Sequence, residues 1–201
     1  MLVKQFNYIS IEDSKRVLES IKNQKHKVLT LLMLDSGLRI TEACSLKCKN
    51  FDFKNKTLTV QSLKKRGDKK LRSIPISNRL YQELATYLER ENIILNSESY
   101  LFPSNSVDGH ISRKSVWKML NKVKEKHHIE NLHPHALRHS FATHHLSKGT
   151  SLPEIKEMLG HKNYNTTLIY SEIPTEELKK KVELVTENRL KWYENPLMFL
   201  G

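Results

Sequence analysis

Apolar residues recur at three- and four-residue intervals along most of this chain, but between Thr57 and Ile76 the period changes. There T-L-T-V-Q-S alternates apolar with polar side chains, L-R-S-I-P-I alternates again, and L-K-K-R-G-D-K-K separates the two. Alternation fits a half-buried strand, whereas three-and-four spacing fits an amphipathic helix. The segment therefore reads as a β-hairpin with a basic tip. The fold class that follows is mainly α with a small antiparallel β-hairpin or sheet, an α+β arrangement. A chain of 201 residues suits one domain and can bury a real core.

The helical stretches carry their own punctuation. Ser10-Ile11-Glu12-Asp13 opens a helix with Val17, Leu18 and Ile21 on one face. His26 to Asp35 reads as a buried helix stopped at Ser36-Gly37. G-L-R-I-T-E then starts another helix straight after the turn, so Arg39 sits at a helix N-terminus with Glu42 one turn on to brace it. Ser77 or Asn78 caps the next helix. Residues 91–109 read as a loop joining two halves of one domain. Ser112 begins a helix with Val116, Leu120 and Val123 on one stripe, and Trp117 is expected in the core. A last helix is expected from Pro174 to about Trp192, followed by the apolar tail Leu197-Met198-Phe199-Leu200.

Composition narrows the function. Charged residues are 28% and hydrophobic ones 38%, too apolar for a disordered chain. No apolar run approaches the roughly 20 residues of a membrane span, so no membrane role is expected. Cys44 and Cys48, the only cysteines, are expected four apart in one helix as half-buried thiols of a reducing compartment rather than as a metal site. The net charge of +12 attracts polyanions, nucleic acid first among them. Lys64, Lys65, Arg66, Lys69, Lys70 and Arg72 crowd the hairpin tip against one acid, Asp68, which suits a finger lying on a phosphate backbone.

Leu132 to Ile173 holds the densest chemistry. H-P-H-A-L-R-H-S-F-A-T-H sets His135 and Arg138 three apart, on one face of a helix starting near Pro134, with Leu137 and Phe141 toward the core. His161 follows the Leu159-Gly160 helix stop, and Tyr170 comes nine residues later. Two guanidiniums can clamp a phosphodiester by paired hydrogen bonds and stabilise the extra charge of its pentacovalent transition state. A tyrosine of ordinary pKa near ~10 needs cations and a histidine acceptor to become a nucleophile. A lysine can protonate the leaving oxygen. The chain has no G-x-x-x-x-G-K-[ST] phosphate loop, and no nucleotide or metal cofactor is expected.

These motifs resemble the catalytic domain of the tyrosine recombinases, the phage integrase family. G-L-R-I-T-E is similar to the stretch around the family's first arginine, H-P-H-A-L-R-H-S-F-A-T-H to its His-x-x-Arg box, and L-G-H-K-N-Y-N-T-T-L-I-Y to its second histidine and nucleophile. The resemblance covers roughly residues 8–190. It implies Arg39, His135, Arg138, His161 and Tyr170 as catalytic residues, Glu42 as their support, and a hairpin lysine. Lys64 and Lys65 both fit that last role, with the L-K-K pattern favouring Lys64; Lys65, Arg66, Lys69 and Lys70 are then expected on DNA.

The resemblance further implies the tyrosine recombinase catalytic-domain fold over residues 1–201, with a core at 8–192 and a tail at 193–201 that docks in trans. The family's N-terminal DNA-clamping domain is expected to be absent, the chain being either an excised catalytic domain or a short member like the fimbrial phase-variation invertases. The implied partners are double-stranded DNA and further copies of the chain, as a tetramer on DNA in the cytoplasm of a prokaryotic cell. The implied activity is site-specific recombination through a 3′-phosphotyrosine. A type IB topoisomerase-like nicking-closing enzyme and a silent DNA-binding regulator of the same fold are the alternatives.

Overall fold

The computed structural model describes residues 8–62, 70–94 and 98–160. Among these, helices α1 (Ile11–Ser20), α2 (Gln24–Ser36) and α3 (Ile40–Cys44) precede strands β1 (Phe51–Asp52), β2 (Thr57–Ser62) and β3 (Lys70–Pro75). Helices α4 (Asn78–Arg90), α5 (Arg113–His127), α6 (Pro134–Ser147) and α7 (Leu152–Leu159) follow.

The caps are local chemistry. The hydroxyls of Ser10, Ser77, Ser112 and Ser151 accept from the backbone N–H three residues on, which satisfies donors that the first helical turn leaves over. Gly37 and Gly160 end α2 and α7 in the left-handed conformation. Helix α2 is buried on all sides from Val28 to Leu34, and α1, α3, α4 and α6 pack against it. A second apolar cluster, Phe141, Ala142, Leu146, Ile155 and Leu159, joins α6 to α7.

The strands form an antiparallel sheet in the order β1-β2-β3, with Leu58 opposite Ile74 and Val60 opposite Arg72. Leu58, Val60, Arg72 and Ile74 face inward, while Leu71 and Ser73 face solvent. Arg72 is therefore no part of a solvated basic tip: the alternation that buries Ile74 also buries Arg72. Strand β1 adds a third strand to the expected hairpin; at two residues it is too short for any period to show.

Two further expectations are corrected. Cys44 closes α3 and Cys48 opens a separate 3₁₀ turn (Cys48–Asn50), so the thiols do not share a helix, and both are fully buried. That burial pushes the Cys44 thiol up to about 11. Trp117 is 41% exposed and stacks its ring on His133, with centroids 6.1 Å apart and planes 9° from parallel. It lies one residue past Val116, at the edge of the buried stripe rather than on it.

Lys64, Lys65, Arg66 and Lys69, the expected helix at 174–192 and the tail at 193–201 lie outside the described residues, and Lys70 is described only as the first residue of β3. No helix among the described residues is long and apolar enough to cross a membrane.

Candidate active site

The site is built around the turn that ends α2. Gly37 adopts φ +60°, and a Cβ there would lie 2.6 Å from both Leu159 Cδ2 and Phe141 Cδ1. Glycine thus allows the backbone to press against the α6–α7 cluster. Its carbonyl accepts a 2.6 Å hydrogen bond from Arg138 Nη1. Gly37→Ala adds both a left-handed-backbone penalty and overpacking, and should cost about 2–4 kcal/mol in a urea melt.

Two residues on, Arg39 caps α3. Its backbone N–H donates to Glu42 Oε2 at 2.9 Å, and its Nη1 donates to Glu42 Oε1 at 3.0 Å. The Glu42 side chain is 1% exposed. Arg72 reaches the same carboxylate from β3, with Nη2 2.8 Å from Oε2 and Nη1 3.2 Å from Oε1. Arg138 Nη1 stands 3.9 Å from Oε2. Burial opposes ionisation of Glu42, yet the hydrogen bonds and charges of Arg72 and Arg39 outweigh it and hold the carboxyl below its ordinary range. One carboxylate gathers three guanidiniums from three separate elements, leaving a net excess of positive charge.

Two of these cations also grip the end of α7. Arg138 Nη2 donates to the Leu159 carbonyl at 2.7 Å, and Arg72 Nε donates to the Met158 carbonyl at 2.9 Å. Helix C-termini carry unpaired carbonyls and partial negative charge, so guanidiniums suit them. Arg138 is buried, whereas the Arg39 side chain is 36% exposed and presents donors to solvent.

His135 is exposed on the first turn of α6. His133 caps that helix: its Nδ1 accepts from the Ala136 N–H at 3.1 Å, so the ring is neutral with its proton on Nε2. Burial lowers the pKa of both His133 and His139; the neighbouring His135 adds to this, followed by Lys124 for His133 and by Arg138 for His139. Below the ordinary histidine pKa near ~6.5 the unfolded chain binds protons that the folded one resists, so stability is complete above that pH and lost as pH falls through it. The melting temperature should therefore drop between about pH 7.5 and 5.5, and Trp117→Ala, which exposes His133, should flatten that slope.

Among the expected residues, the structure brings Arg39, Glu42 and Arg138 together and sets His135 on the same helix as Arg138. His161 and Tyr170 lie outside the described residues, as does Lys64. Arg72 was missed as a site residue because a charge within a basic run reads as solvated; its inward phase on β3 was the available signal. Among the described residues no group of three or more His, Cys, Asp or Glu could hold a metal.

Comparison with known proteins places this geometry. The model of the Phage integrase family matches residues 7–177. The chain is 36% identical over 175 residues to tyrosine recombinase XerA of Pyrococcus horikoshii, covering 86% of this chain and 59% of that protein. It is 31% identical over 162 residues to tyrosine recombinase XerC of Oceanobacillus iheyensis, covering 78% and 52%. A crystal structure of XerA recombinase superposes with TM-score 0.74 at 28% identity, over 90% of this chain and 65% of that one. XerH site-specific recombinase bound to its difH substrate superposes with TM-score 0.69 at 25% identity, over 88% and 53%. This chain thus spans between half and two thirds of these relatives' length. The motif order, the mainly helical fold with its three-stranded sheet and the family match agree: the chain belongs to the phage integrase family.

Proposed function

We propose that this chain is a site-specific recombinase that cuts and rejoins double-stranded DNA through a 3′-phosphotyrosine, in integration, excision or inversion. The observation that carries this reading is the meeting of Arg39, Arg72 and Arg138 on one buried carboxylate, with Arg39 open to solvent. Such a spot attracts a phosphodiester and favours the charge that builds on its oxygens during displacement. The relatives, tyrosine recombinases XerA and XerC and a XerH site-specific recombinase bound to its difH substrate, support the same activity.

The step conserves bonds. The Tyr170 oxygen forms a bond to phosphorus, the bond to the 5′ oxygen breaks, and the 3′ phosphate is left on the tyrosine. Arg39 and Arg138 hold the non-bridging oxygens. His135 and His161 neutralise charge or take the tyrosine proton, and Lys64 protonates the leaving 5′ oxygen. Because the phosphotyrosyl ester retains the energy of the broken bond, the reverse attack by a 5′ hydroxyl rejoins DNA without a nucleotide cofactor. Exchange between two duplexes cuts four strands, which is why self-association on DNA belongs to the proposal. The exposed face of α5, with Arg113, Lys114, Lys118 and Lys122, supports backbone contact beside His133 and His135. The hairpin cations Lys65, Arg66, Lys69 and Lys70 extend that contact. Such a protein works where the chromosome or a mobile element is, in the cytoplasm of a prokaryotic cell.

The test is covalent trapping on nicked duplexes from the flanking locus, from which the cut end diffuses away. An adduct stable to denaturant is expected; tight binding with no adduct would instead make the chain a DNA-binding regulator. The leaving-group role of Lys64 has its own signature. Lys64→Ala should slow cleavage by about 10²–10⁴-fold on ordinary DNA and far less on DNA with a bridging 5′ sulfur, which leaves without a proton. If Lys65→Ala shows that pattern and Lys64→Ala does not, the role belongs to Lys65.

A further inference from the structure

The proposed chemistry gives Arg72 no step of its own, yet it is as deeply buried as Arg138. Its guanidinium spans two elements: Nη1 and Nη2 chelate both oxygens of Glu42 on α3, and Nε donates to the Met158 carbonyl at the end of α7. Glu42 in turn holds Arg39 through both backbone and side chain. Arg138 ties the adjacent Leu159 carbonyl to Gly37. The chain that leaves Gly160 continues directly to His161, so its starting point is fixed by this one guanidinium and its neighbour.

We propose that Arg72 is a positioning residue, a strap from β3 that fixes Glu42, and through it Arg39, relative to the end of α7 from which His161 and Tyr170 depart. The assignment rests on the recombinase reading above. A planar fork suits this task because it fills two carboxylate oxygens and one carbonyl with three fixed donors, where a lysine offers a single ammonium point. Displacing reacting groups by about 1 Å is enough to cost on the order of 10²-fold in rate.

The test uses the whole 201-residue chain with Arg72→Met and Arg72→Lys. Two readouts are independent of each other. Hydrogen exchange of the α7 peptide, without DNA, should quicken about tenfold or more in Arg72→Met while α4 exchanges as before. Single-turnover adduct formation on the nicked duplex should fall about 10²-fold, with DNA affinity in a shift assay within about threefold of the parent, because binding draws on many other cations. Arg72→Lys, which keeps the charge but loses the fork, should fold cooperatively and cleave at an intermediate rate; it carries the test if Arg72→Met fails to fold. Parental exchange in α7 for a folded variant overturns the strap. So does cleavage of either folded variant at the parental rate, or an equal loss of binding and cleavage. If the parent chain forms no adduct while α7 exchange quickens in Arg72→Met, the strap stands and the recombinase reading fails.

Discussion

Replacing Glu42 with alanine should destabilise the folded chain by about 3–5 kcal/mol, the range for removing one partner of a buried ion pair. Arg72 and Arg138, both buried, then lose the carboxylate they share, and Arg39 loses its brace. Surface pairs in the same chain, such as Arg16 with Asp13, differ in kind: their partners stay hydrated and their removal should cost under about 1 kcal/mol. Glu42→Gln keeps the shape and one acceptor oxygen, so it should fall between these limits. Urea melts of the variants measure the difference, and a cost below about 1 kcal/mol for Glu42→Ala would show that the carboxylate does not hold the cluster.

Tyr170→Phe should abolish covalent attachment to DNA while leaving binding within about twofold, since the ring adds little to a contact dominated by phosphates. The change removes one oxygen, the one that would bond to phosphorus, and no other group in the proposed set can replace it without altering the product. Chemistry that used water as nucleophile would give a free 3′ phosphate and would survive the substitution.

The Arg39–Glu42 pair was legible in the sequence because it is local: two side chains three residues apart at a helix start must meet whatever the rest of the fold does. The His135–Arg138 spacing after a proline at the first helical position was legible for the same reason. What stayed hidden depends on distant partners. Period-two alternation put Arg72 in phase with Ile74, but partners such as Glu42, thirty residues earlier in the chain, and the Met158 carbonyl make an arginine tolerable there. Trp117 lies at the edge of the apolar stripe of α5, and its partner His133 belongs to the next helix, so core and surface look alike from spacing alone. The end of α3 at Cys44, which parts the two thiols, carries no glycine or proline to announce it.

The central claim is that Tyr170 becomes the phosphoryl carrier. The measurement that tests it most directly is identification, by mass spectrometry of proteolysed adducts, of the residue that holds the DNA 3′ phosphate. The account predicts a nucleotide remnant on Tyr170 and no adduct with Tyr170→Phe. A remnant on another residue, or an adduct that persists in Tyr170→Phe, would contradict it.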